Sequence, residues 1–161
     1  MMNISIIAVG KLKESYWREA VAEYSKRISR FAHFEIVELP ESRLSDNPSD
    51  AEIASALQSE AKLMQPYLEK KGSINIAMCV EGKLISSEEL AGEIDSAGVN
   101  GYSSVNFFIG SSYGLSDSVK KSCKLRISMS RMTLPHQLAR VVLSEQIYRA
   151  MTINGGVRYH K

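Results

Sequence analysis

Cysteine and proline are scarce in this chain: two cysteines and four prolines in 161 residues. Cys79 and Cys123 have no partner Cys or His at metal-ligand spacing, which argues against a zinc site or a disulfide and for buried reduced thiols in a reducing cytoplasm. The three histidines, His33, His136 and His160, show no ligand spacing either, so no metal is expected. No apolar run approaches the roughly 20 residues that cross a bilayer. The opening Met1 to Ile7 lacks the basic segment and cleavage pattern of a secretory leader and reads as a first strand. Neither G-x-G-x-x-G nor G-x-x-x-x-G-K occurs, which removes the dinucleotide fingerprint and the P-loop.

Carboxylates are nearly missing from one end. Residues 120–161 hold nine Lys or Arg and only Glu145, a local charge of +8, whereas residues 1–119 set 11 cations against 17 anions, or −6. Separation of charge on this scale in a chain of net charge +2 suggests a basic surface for a polyanion, with nucleic acid first; a solvated helix face is the plainer alternative. A hydrophobic content of 44% and 161 residues predict one soluble domain, residues 1–161, able to bury a core.

Along the chain, strand-like and helix-like segments alternate. Asn3 to Val9, Phe34 to Leu39, Ile74 to Val80, Ser104 to Ile109 and Leu125 to Met129 are β-rich apolar runs. Between them lie helical patterns, two of which open on capping boxes, Ser49-Asp50-Ala51-Glu52 and Ser86-Ser87-Glu88-Glu89. Pro66 predicts a kink in the first of these, and Glu81-Gly82-Lys83 a loop after the third strand. Such alternation is the signature of an α/β fold on a mostly parallel sheet flanked by helices.

The last helix, from Pro135 to about Thr152, carries two apolar stripes. Leu138, Val141, Val142, Tyr148 and Met151 form one; Leu143, Ile147 and Ala150 form the other. One sheet face covers only one of them, so the second stripe is expected to meet a symmetry partner in a homodimer, with deep burial in a monomer as the alternative.

In open α/β sheets ligands sit beyond the carboxyl ends of the strands, which directs attention to the loops starting near Met78, Gly110 and Met129. Met129-Ser130-Arg131-Met132-Thr133-Leu134 pairs apolar side chains with hydroxyls and free amides just before a helix, a mixture suited to a flat heteroaromatic such as adenine. His160 beside Tyr159, behind Gly155-Gly156, is a candidate base or substrate clamp if the tail folds over the site; disorder is the alternative. Arg140 and Arg158 suit phosphate contacts, and Arg149 is spaced to pair with Glu145.

These residues together resemble the ribosomal RNA large subunit methyltransferase H family, of the SPOUT class. The resemblance runs through Ile7-Ala8-Val9-Gly10-Lys11, Gly82-Lys83, Ile109-Gly110 with Gly114-Leu115, Thr133-Leu134-Pro135-His136, Arg140-Val141, Glu145 with Tyr148-Arg149-Ala150, and Tyr159-His160. It implies an α/β fold with a C-terminal trefoil knot, a homodimer, and an S-adenosylmethionine site contacted by Met78, Gly110 and Met129 to Leu134. The activity it implies is methylation of N3 of a pseudouridine in 23S ribosomal RNA on the assembled ribosome. Tyr159 and His160 would close on the target base, and Arg158 and Arg140 would hold RNA phosphates. One position departs from the family pattern: Ser111 stands where a second glycine is usual, which restricts positive φ in that loop. A non-catalytic RNA-binding module and a SPOUT enzyme acting on transfer RNA are the rival readings.

Overall fold

In the computed structural model, which describes residues 1–161, the apolar opening becomes β1 (Asn3–Val9), with strands paired to both its edges. The other elements follow in strict alternation: α1 (Ser15–Ile28), β2 (His33–Leu39), α2 (Asp50–Leu68), β3 (Ser73–Leu84), α3 (Ser87–Val99), β4 (Ser104–Ile109), α4 (Asp117–Ser122), β5 (Leu125–Ser128) and α5 (His136–Asn154). All five strands are parallel, in the order β2-β1-β4-β3-β5. This is the mostly parallel sheet flanked by helices that the sequence predicts.

Apolar side chains on both faces of the strands explain the layering. Ile4, Ile6 and Ala8 point into a core shared with Ile28 of α1, Leu90 and Ile94 of α3, and Leu143, Ile147 and Ala150 of α5. Ile7 and Val9 point the other way, onto Ala61 and Met64 of α2 and Val119 of α4. Both expected capping boxes form, with Ser49 receiving the Glu52 amide and Ser86 the Glu89 amide. Helix α2 runs through Pro66 for two more residues. Its last carbonyls are met from the sheet, where Asn106 donates to Tyr67 and Asn75 donates to Leu68.

Two expectations are corrected here. Glu81-Gly82-Lys83 is not a loop: β3 continues to Leu84, with a register shift that sets both Met78 and Lys83 opposite Ile127. Gly82 makes this possible, since a Cβ there would lie 2.7 Å from the Ile127 backbone. The stripe of α5 assigned to a partner is also the wrong one. Leu143, Ile147 and Ala150 are wholly buried inside the chain, because α5 lies against both α1 and α3 above the sheet. Leu138, Val141, Val142, Tyr148 and Met151 are the half-buried ones.

Candidate active site

The carboxyl ends of β3, β4 and β5 open into a cleft of about 290 Å³. Seven of the eight residues singled out for cofactor binding line it: Met78, Gly110, Met129, Ser130, Met132, Thr133 and Leu134. Arg131 is exposed and is not part of the wall. The first turns of α5 close one side with His136 and Ala139. His136 directly follows the third loop, and that placement is the signal in the sequence for its part in the wall.

Each loop has a physical reason for its shape. After β4 the chain turns so tightly that a Cβ on Gly110 would sit 2.1 Å from the Gly114 carbonyl oxygen, and Gly114 itself adopts φ +80°. The Gly114 amide closes the turn by donating to the Ser111 carbonyl at 2.8 Å. Positive φ is confined to glycines, so Ser111 is accommodated without backbone strain. Its hydroxyl donates to Oε1 of Glu60, 3.4 Å away. After β5, Ser128 donates to the Ser130 carbonyl and the Met132 amide donates to the Ser130 hydroxyl, both at 2.9 Å. The amides of Arg131, Thr133 and Leu134 donate to no other group of the protein. Unpaired amides between apolar walls are what the edge of a heteroaromatic ring requires.

Charge around the cleft is mostly balanced. Glu81 and Lys120 pair at its side, and the Lys120 ammonium holds the Glu81 carboxyl below its ordinary range. Burial pushes the Cys79 thiol up, with Glu81 adding to the effect, and pushes Cys123 to about 12. Neither cysteine has the electropositive setting of a nucleophile.

The tail folds back, but onto α5 rather than into this cleft. Gly156, at φ +66°, reverses the chain after α5, and the Val157 amide donates to the Thr152 carbonyl. Tyr159 then donates to Oε1 of Glu145 at 3.0 Å and packs edge-on against Tyr148. Arg149 donates to the same Glu145 oxygen at 2.5 and 3.0 Å, the expected i,i+4 pair. It also lies 3.2 Å from Nδ1 of His160. Because a guanidinium only donates, Nδ1 accepts and the ring proton sits on Nε2, which donates to Glu88 at 2.7 Å. Burial and the Glu145 carboxylate push the Tyr159 phenol above its ordinary range, so it stays protonated and acts as a donor. At 1.5 Å per residue, Glu145 and Arg149 stand about 9 and 15 Å beyond Ala139 along the helix. No residue of the tail lines the cleft of its own chain.

Arg140 is a correction. Its sequence position suggested a phosphate contact, yet it is 1% exposed. Its guanidinium donates to Glu38 at 2.6 Å and to the Gly10 carbonyl at 3.0 Å, tying α5 to the ends of β1 and β2. Of the nine C-terminal cations, Lys120, Arg140 and Arg149 are paired internally, which leaves six for the surface, Arg158 among them.

Fold and cleft together define an open α/β protein with a cleft at the carboxyl edge of a parallel sheet, where such folds place their ligands. The model of the family described as "Predicted SPOUT methyltransferase" matches residues 2–160, and the chain belongs to that family. Proteins of Streptococcus pneumoniae strains CGSP14 and 70585, each named ribosomal RNA large subunit methyltransferase H, are 45% identical to it over 160 residues. The match spans 99% of this chain and 100% of theirs. Among solved structures, a probable methyltransferase from Bordetella pertussis Tohama I superposes with a TM-score of 0.57 at 16% identity, over 93% of this chain and 95% of its own. A probable methylase family protein from Haemophilus influenzae Rd KW20 gives 0.56 at 12% identity, over 99% and 71%. At those identities the two structures speak for the fold alone.

Proposed function

We propose that this chain is a single catalytic unit that transfers the methyl group of S-adenosylmethionine to N3 of a pseudouridine in 23S ribosomal RNA. It would act on the assembled ribosome, in the cytoplasm, as a homodimer. The cleft carries the reading: residues from three loops far apart in sequence converge on one cavity with apolar walls and unpaired amides. Full-length relatives named for ribosomal RNA methylation support the substrate. The family implies a trefoil knot, and the return of α5 from the edge strand β5 to a place between α1 and α3 agrees with one.

The residues present fit the cofactor. Amides of Thr133 and Leu134 would meet the adenine edge, Met129 and Leu134 would flank the ring, and Gly110 would let the backbone approach. When bound, S-adenosylmethionine supplies a methyl already activated by its sulfonium. The protein is left to hold N3 in line with that methyl and to help remove the N3 proton. Tyr159, held protonated, is suited to donate a hydrogen bond to the base, with His160 closing beside it. Since neither lines its own cleft, we assign them to the cleft of the second copy, with Arg158 on RNA phosphate. The half-buried stripe of Leu138, Val141 and Val142 offers a surface for that copy.

The test is methyl transfer to ribosomes from a strain lacking this protein, with the modified nucleotide mapped by mass spectrometry. His160→Ala should lower single-turnover transfer at least about tenfold while leaving donor affinity nearly intact. An unchanged rate removes His160 from the mechanism. RNA binding without calorimetric heat for the donor would instead point to a non-catalytic module.

A further inference from the structure

Glu60 stands out behind Ser111 in the cleft wall. It is 3% exposed, lies on α2, and has no cation within ion-pair distance. Its hydrogen-bond partners are neutral: the Ser42 amide donates to Oε2 at 3.1 Å and the Ser111 hydroxyl to Oε1 at 3.4 Å. Burial pushes its carboxyl above the ordinary range, opposed by those two hydrogen bonds. A buried carboxylate with neutral partners alone is costly, which raises the question of what compensates it.

Ser111 lines the cleft, so Glu60 stands one side chain behind the wall. The cleft's own carboxylate, Glu81, is neutralised by Lys120. We infer that Glu60 is a specificity residue for the charge state of the ligand: its carboxylate, acting through space behind Ser111, favours a cationic occupant of the cleft over a neutral one of the same shape. This rests on the proposed methyl transfer, in which the donor carries a sulfonium and the product, S-adenosylhomocysteine, does not. Loss of the methyl removes the positive charge, so the same carboxylate that helps load the donor ceases to hold the spent product. Glu60 touches neither ligand in this reading; it sets the local potential.

The experiment is calorimetry on the full chain with three probes: S-adenosylmethionine, S-adenosylhomocysteine, and sinefungin, whose protonated amine replaces the sulfonium. Glu60→Gln should weaken the two cationic probes about fivefold to tenfold and leave the neutral product within about twofold. Ser111→Gly, which keeps the charge and removes the hydroxyl, should retain the wild-type preference. Equal weakening of all three probes by Glu60→Gln, or no change in any, overturns the inference, as does loss of the preference in Ser111→Gly. If Glu60→Gln shows no cooperative melt, Glu60→Met carries the same comparison. If neither folds, wild-type protein that prefers the neutral product to sinefungin overturns it, and the opposite preference supports it. Wild-type protein that binds none of the probes defeats the methyltransferase reading itself, a result distinct from all of these.

Discussion

At the amino end of α5, His136 and Ala139 face a cleft whose nearby backbone amides have no partner within the protein. At the carboxyl end, Glu145, Arg149, Tyr159, His160 and Glu88 spend their polar groups on one another. The first region is shaped by backbone, through glycines that permit close approach, and it leaves hydrogen-bonding capacity for a ligand. The second is shaped by side chains that satisfy themselves. In the proposed transfer the tail must first exchange Glu145 and Glu88 for other partners, and each of those links is individually modest. Arg140, lying between the two regions, belongs to neither: it is a strut.

The strut gives the largest expected effect. Arg140→Ala takes the donor from the Gly10 carbonyl and leaves Glu38 with the Leu12 amide alone, and because Glu38 also keeps some water contact the loss should fall near the low end for broken pairs, about 3 kcal/mol. Urea unfolding measures it, and Arg158→Ala, exposed on the tail, should leave the midpoint in place while flattening the salt dependence of RNA binding. Stability unchanged in Arg140→Ala would erase the distinction between strut and surface cation.

Gly110→Ala comes next. Its Cβ would drive apart the turn that forms one cleft wall, so donor affinity should fall roughly a hundredfold, close to 3 kcal/mol, with a smaller loss of stability. Retained affinity would show that the wall yields, and that the cleft is less preformed than the geometry implies.

Glu145→Gln tests the other end. It weakens the anchor for Arg149 and Tyr159 and should cost about 1 kcal/mol, loosening the tail towards carboxypeptidase without altering donor affinity. A change in donor affinity would join the two regions that the structure keeps apart.

The smallest effect is on pH. The Glu88 carboxyl sits below its ordinary range through a backbone amide first and His160 second, so its contribution is present above its unfolded value of roughly 4.3 and is lost as pH falls through the lower folded value. Tail resonances in amide correlation spectra should therefore broaden or shift below about pH 4. Tail signals that stay fixed down to pH 3 would mean that Glu88 does not hold it.

Much of the cleft was legible because parallel α/β sheets bind ligands at one edge, and the loops after three strands could be located from their apolar runs. Capping boxes fixed the starts of α2 and α3 for a similar reason: the hydroxyl and carboxylate meet orphan amides within one turn. What could not be read depended on distant neighbours. Gly82 looked like a loop residue because nothing in Glu81-Gly82-Lys83 reveals that Ile127 lies against it. Arg140 looked like a surface cation because its partners, Glu38 and Gly10, lie more than a hundred residues away. The stripes of α5 could be counted but not assigned, since periodicity says that a helix has two apolar faces and not which of them meets the sheet.

The Gly10 carbonyl waits for a donor 130 residues downstream, and β1 waits for β4 to cover its second edge. During synthesis the earliest strand therefore stays half-finished until most of the polypeptide has been made, and the clasp that locks it arrives nearly last. Maturation should be a late, slow event dominated by long-range pairing, and a nascent chain stalled before residue 109 would present a naked, adhesive ribbon to its surroundings.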